Sequence, residues 1–284
     1  MMEASRWNPL LGLLLLLLGC EGRISAEGPT GMTCEEISGA PSTSLLVEHD
    51  LRFASVEDAR IYLGLAESTP DVAEEALIVS IDGPAFAIMP LSVRDDITYC
   101  VSDTLGEHRN AVIRALAYAT AIWSSVVDVH FRLVHPPRCE VRGEDARVIV
   151  VSDCVFSPAI ADAMLPWRGG RNGQTITLNV CHDIWPSAVL SPDAMERIFL
   201  HELGHILGFV HAWNTVDYEG VCQCQTRTAF LTLSPYDPAS IMNYPECGAT
   251  WTFFEPAVLS EQDRLGARKV YCAPGKGPPP CWDE

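Results

Sequence analysis

The residues from His201 to His211 constrain this chain more than any other stretch: they read His-Glu-Leu-Gly-His-Ile-Leu-Gly-Phe-Val-His. Residues four apart project from one face of a helix, so His201 and His205 can grip one metal ion between them. Glu202 stands beside them, within reach of a proton on a metal-bound water. Gly208 lets the helix stop and the chain turn, because a residue without Cβ enters left-handed backbone at little cost. After that turn His211 can swing back as a third ligand. Three neutral imidazoles leave a fourth position on zinc open for water, which is the catalytic rather than the structural arrangement. The competing reading is a chance match inside a buried amphipathic helix. The added glycine and third histidine count against it. So does the apolar stripe of Phe199, Leu203, Ile206 and Leu207, which predicts the histidines on the opposite face, away from the core.

A second element lies downstream, Tyr236-Asp237-Pro238-Ala239-Ser240-Ile241-Met242-Asn243-Tyr244-Pro245. A long zinc motif followed by a Ser-Ile-Met-x-Tyr turn resembles the metzincin zinc endopeptidases, and its wording looks most like astacins and bacterial matrixin-type proteases. The resemblance implies that Met242 lies in a tight turn beneath the metal. It also implies that Tyr244 is a movable ligand that stabilises the oxyanion. One departure stands out. Astacins follow the third histidine with Glu, and this chain has Ala212. The resemblance spans roughly residues 94–272 and is specific at the two motifs only.

The formal net charge of −18 over 284 residues argues against a nucleic-acid partner, whose phosphates would be repelled. At the N-terminus Arg6 precedes an apolar run, Leu10 to Leu18, that is too short for a mature membrane span and suits a signal peptide. It ends Leu17-Leu18-Gly19-Cys20, which resembles a bacterial lipoprotein signal with Cys20 as the lipidated residue. Ordinary secretion, with Cys20 as a plain cysteine, is the alternative. There are eleven cysteines; setting Cys20 aside leaves an even ten, which in an exported protein reads as disulfides. A bridge from Cys222 or Cys224 to Cys247 would close the segment between the zinc motif and the Met-containing turn.

Three regions follow: 1–19 as signal peptide, 20–93 as a tether or pro-like segment, and 94–284 as a metzincin-like zinc peptidase domain. Within the second, a short helix is expected over 55–65 and partly strand-like sequence over 76–92. Asp82, ahead of Gly83, faintly resembles an astacin aspartate block of the metal, and Cys34 is a further candidate; a turn residue and a disulfide cysteine are the plainer readings. Cys139, in Pro137-Arg138-Cys139, sits too far into the catalytic portion to serve as a matrixin-type block. The third region reads as α+β, with a twisted mixed sheet, a long active-site helix and an irregular C-terminal subdomain. Strands are expected at Ile97–Val101, Val127–Leu133, Arg147–Val151 and Thr175–Val180, and a helix from His108 to Val126. Ala159 to Leu165 is a candidate edge strand; the metzincin resemblance implies that it lies above the cleft, where an extended peptide could add to it. Ser191, Pro192 and Asp193 open the active-site helix as N-cap, first residue and dipole partner. Ser260-Glu261-Gln262-Asp263 is a capping box opening a last helix toward Tyr271.

The function expected is a zinc-dependent endopeptidase acting on extracytoplasmic polypeptides, exported and lipid-anchored to a bacterial membrane or otherwise secreted. One catalytic zinc on His201, His205 and His211 would bring its water toward a pKa of about 7. Glu202 and Tyr244 are the catalytic candidates, with Gly208 and Met242 as support. The resemblance allows calcium too, but no ligand set in the sequence supports it. The rival is a non-catalytic zinc-binding adhesion or interaction module of the same fold. Glu202 argues against it, since a ligand-only site has no use for that carboxylate. A zinc amidase acting on cell-wall peptides would share the chemistry and differ in cleft shape.

Overall fold

The computed structural model describes residues 45–47, 51–53, 78–82, 85–86, 88–89, 91–135, 148–153, 160–166, 174–179, 191–212, 230–252 and 255–274. Elements in chain order are β1 (Leu45–Val47), β2 (Leu51–Phe53), β3 (Ile78–Asp82), β4 (Ala85–Phe86), α1 (Leu91–Arg94), β5 (Ile97–Val101), a 3-10 turn (Asp103–His108), α2 (Arg109–Val126), β6 (Phe131–Val134), β7 (Val148–Asp153), β8 (Ala161–Met164), β9 (Gln174–Asn179), α3 (Pro192–Leu207), β10 (Phe209–Val210), β11 (Phe230–Thr232), a second 3-10 turn (Pro245–Cys247) and α4 (Glu261–Tyr271). The class is α+β. Residues 1–44, the expected helix at 55–65, and Cys34, Cys139, Cys222 and Cys224 lie outside the described residues. No helix among the described residues is long and apolar enough to cross a membrane.

The main sheet runs β1-β2-β8-β9-β7-β5-β6. It is mixed: β6, β5, β7 and β9 run parallel, and β8 is antiparallel to β9. Its central strands are rich in β-branched residues that suit a pleated, buried surface, and Ile97, Val101, Val148, Val150 and Ile176 are fully enclosed. Over it lies α2, whose Val112, Ala115, Leu116, Ala119, Trp123 and Val126 recur at helical spacing and are all buried. Trp123 joins α2 to α3: its Nε1 donates to the Leu200 carbonyl at 3.0 Å, and its ring stacks on Phe209 with centroids 5.4 Å apart.

Several expectations are corrected. The strand predicted from Val127 begins only at Phe131. Val127 and Val129 are buried, but their backbone groups serve other ends: Val127 N–H closes the helix on the Trp123 carbonyl, and Val129 N–H folds back to the Val127 carbonyl. Period-2 burial does not make a ladder when the hydrogen bonds are already spent. The strand predicted over Ala159 to Leu165 is present as β8, but it is not an edge. Its inner side pairs with β9, and its outer side pairs in parallel with β2, Leu51 opposite Ala163 and Arg52 opposite Met164. Strands β1 and β2, from the segment read as a tether or pro-like segment, therefore extend the main sheet. From the same segment β3 forms a second sheet, antiparallel to β10 and β11, with β4 on its end. Asp82 lies in that strand, opposite Ala85.

Candidate metal centre

The site is built on α3, and the helix opens as its sequence dictates. Ser191 is the N-cap, its hydroxyl accepting from Ala194 N–H at 3.3 Å, with Pro192 first inside and Asp193 in the positive first turn. Gly208 closes it at φ 102°, a left-handed conformation that a side chain would strain, and its N–H returns to the His205 carbonyl at 2.9 Å. The chain leaves along β10, which pairs with β3, and delivers His211 back beside the helix.

His201, His205 and His211 come together. One ring nitrogen from each lies within 4.8 Å of the others. This is the sole such group of three or more His, Cys, Asp or Glu among the described residues, and His108, His130 and His135 take no part in it. The tautomers follow from the partners. His201 Nδ1 lies 2.7 Å from the Ile241 carbonyl, and His205 Nδ1 lies 2.8 Å from the Phe209 carbonyl. A carbonyl can only accept, so both Nδ1 atoms carry the proton and both Nε2 atoms present a lone pair. Those two Nε2 atoms face each other at 3.0 Å. Two lone pairs so close repel unless a cation sits between them. On a tetrahedral zinc with Zn–N near 2.0–2.1 Å, two nitrogens stand about 3.3 Å apart, so the pair is spaced for one ion. The donor set therefore fits a divalent metal of zinc type, with carbonyl partners fixing two rings from behind, as metal-ligating histidines require.

Glu202 follows His201 on the helix and is 3% exposed. Tyr244 packs its ring against His201, centroids 5.2 Å apart at 20°, and tilts over His211 at the same distance. Its backbone is the N-cap of the second 3-10 turn. Tyr244 thus lies with the three histidines, and Glu202 is the helical neighbour of the first of them. The histidines lie opposite the apolar stripe, yet that side of α3 is enclosed as well. His201 is 4% exposed and His205 fully buried, because the 240–244 turn closes over the side of α3 that the stripe leaves free.

That turn is held by a dense set of bonds. Asp263, the N3 residue of the α4 capping box, accepts from Ser240 Oγ at 2.6 Å, Ile241 N–H at 2.9 Å and Ser260 N–H at 3.0 Å. Its burial pushes the carboxyl above its ordinary range, and the hydrogen bonds from Ser240, Ile241 and Ser260 offset only part of that rise. Ser240 Oγ in turn accepts from Met242 N–H at 3.1 Å, and the Ser240 carbonyl accepts from Trp251 Nε1 at 2.8 Å. Arg197 of α3 lies over the Trp251 ring at 4.5 Å. The Met242 carbonyl accepts from Ala212 N–H at 2.9 Å, so the residue after the third histidine ties that segment to the turn through its backbone. The far end of α3 is pinned by Tyr271, which donates its hydroxyl proton to the Leu207 carbonyl and accepts from Met89 N–H. Cys247, just past the turn, is disulfide-bonded, as are Cys100 and Cys272.

Two contributors were not found from sequence. Gly204 carries no side chain because Met242 lies against the helix there: a Cβ would overlap Met242 Sδ and come within 3.2 Å of its Cε. A glycine in a helix interior was the available signal, since it costs about 1 kcal/mol unless packing asks for it. Asp263 was legible as a helix cap, but nothing local revealed its bonds to a turn more than twenty residues away.

No family model matches the chain, and none of the curated proteins matches it. Among solved structures, that of myroilysin aligns with TM-score 0.45 and 18% sequence identity, covering 71% of this chain and 100% of that one. So loose a likeness carries no inference about activity, which rests on the geometry above.

Proposed function

We propose that the chain is a zinc-dependent endopeptidase of metzincin-like design. The observation that carries this is the convergence of three imidazoles, two of them with Nδ1 protons committed to backbone carbonyls and lone pairs turned to a shared point, beside a buried Glu202. His201, His205 and His211 would hold zinc through ring nitrogens. When bound, zinc supplies a Lewis acid that makes water nucleophilic near neutral pH and draws electron density from a peptide carbonyl. Glu202 takes one proton from the attacking water on its carboxylate as the new carbon–oxygen bond forms. It then delivers that proton to the amine nitrogen as the carbon–nitrogen bond breaks, and no covalent enzyme intermediate is needed. Tyr244, whose ring stacks against His201, would donate a hydrogen bond from its hydroxyl to the developing oxyanion. Met242 and Gly208 shape the site without touching substrate.

The substrates proposed are polypeptides outside the cytoplasm, reached after export directed by residues 1–19. Acylation at Cys20 would hold the mature chain at a membrane; mass spectrometry of the mature N-terminus tests this, and an unmodified terminus starting elsewhere leaves plain secretion. An extended peptide adding to β8 as a strand would have to displace β2, which pairs with that edge at Leu51 and Arg52.

The deciding experiment is a peptidase assay on the exported protein with and without a chelator, beside Glu202→Ala. Loss of a positioned acid–base group costs roughly 10²–10⁴-fold in rate. Near-normal cleavage by a zinc-loaded Glu202→Ala protein would overturn the mechanism. No cleavage by the wild type, with zinc bound, would favour the interaction-module reading.

A further inference from the structure

We infer that Asp263 is a positioning residue for the metal centre, fixing the first histidine ligand through the turn it holds. The inference rests on the zinc reading above. A solvated cap carboxylate is ordinary at the start of a helix, but this one is fully buried, and only one of its three bonds serves the cap. The other two go to Ser240 Oγ and Ile241 N–H. Every hydrogen bond it makes to the turn is one in which the carboxylate accepts, so the two oxygens set where that peptide lies.

Ile241 matters because of what its carbonyl does. Ile241 gives its N–H to Asp263 and its carbonyl to His201 Nδ1 at 2.7 Å. That carbonyl selects the His201 tautomer and aims its Nε2 at the ion. One residue further, the Met242 carbonyl accepts from Ala212 N–H beside His211. Asp263 thus bears on two ligands of the three. His205 is independent of it, because its Nδ1 bonds to the Phe209 carbonyl within its own helix-end turn. The asymmetry separates positioning from general support: a cap that merely stabilised the fold would not distinguish His201 from His205.

The test uses the full exported protein and zinc itself, with affinity read by competition against a chromophoric chelator. Outer partners of metal ligands typically contribute 10–100-fold in metal affinity, so Asp263→Ala should weaken zinc by about that factor. Asp263→Asn should restore most of it, since an amide can present its oxygen to Ile241 and Ser260 and its N–H to Ser240 Oγ. Ser260→Ala removes the other half of the capping box and should lower the melting temperature while leaving zinc affinity unchanged. In the low-field proton spectrum of the zinc-loaded Asp263→Asn protein, the His201 Nδ1–H resonance should move while that of His205 stays in place.

A folded Asp263→Ala protein that binds zinc as tightly as the wild type overturns the inference, as does equal weakening by Ser260→Ala. Should Asp263→Ala fail to fold, Ser240→Ala decides. It cuts the link from the carboxylate to Met242 N–H and should weaken zinc, and unchanged affinity there overturns the proposal equally. A wild type that binds no zinc removes the metal reading and this inference together, whereas a zinc-tight wild type with a tolerant Asp263 removes only the inference.

Discussion

Gly204→Ala tests how closely the active-site helix meets the turn beneath it. On a free helix the change would help, by about 1 kcal/mol of intrinsic propensity. Here the new methyl group would overlap Met242 Sδ and lie 3.2 Å from Met242 Cε and 3.4 Å from Trp123 Cζ2. Both Met242 and Trp123 are fully buried, so the flexible Met242 thioether can yield only by repacking within the core. Forcing an extra methyl into a packed site costs about 1–3 kcal/mol, and overlap with a sulfur in a closed core belongs near the upper end. The overpacking outweighs the propensity, and the net expectation is a loss of about 1–2 kcal/mol. Denaturant unfolding in the presence of chelator reads this directly, with metal binding kept out of the equilibrium. Zinc affinity, measured separately, should fall as well, because a displaced Met242 carries with it the carbonyl that Ala212 N–H reaches. An alanine variant as stable as the wild type, or more stable, would refute the reasoning, since propensity would then have won and the contact could not be tight.

His205→Ala should abolish stoichiometric zinc binding, because it removes one of two lone pairs 3.0 Å apart; full occupancy by metal analysis would sink the ligand assignment. Tyr244→Phe keeps the ring packed on His201 and removes only the hydroxyl, so steady-state kinetics on an unstructured peptide should show kcat falling more than KM rises. An unchanged kcat with zinc bound would take Tyr244 out of the mechanism. Leu51→Ala truncates a fully buried side chain on β2, a change costing about 2–5 kcal/mol at such sites, and should loosen that strand from β8. Denaturant unfolding should show that loss, and a folded variant as stable as the wild type would show that Leu51 does not anchor β2 on β8.

Much of the centre could be read from spacing alone. The helix from Ser191 to Gly208, its cap at each end and the meeting of three histidines all depend on neighbours within a few turns of chain. The capping box at Ser260 was legible for the same reason. Where sequence misled, longer-range partners had intervened. Val127 and Val129 alternate like a strand, but the end of α2 had claimed their amides. The apolar stripe on α3 set the histidines on the opposite face, and it said nothing of the turn from forty residues downstream that covers that face.

What this sequence determined by itself is a helix carrying His201, Glu202 and His205, a left-handed stop at Gly208 and a third histidine just beyond, because periodicity and backbone preference are properties of adjacent residues. Tertiary structure decided which nitrogen of His201 carries its proton, since Nδ1 bonds to a carbonyl forty residues away. It also decided that Gly204 must stay bare under Met242, and that β2 covers the outer side of β8. Those outcomes turn on which distant backbone groups and side chains meet once the core closes, and no local pattern encodes the partner of a hydrogen bond made across the fold.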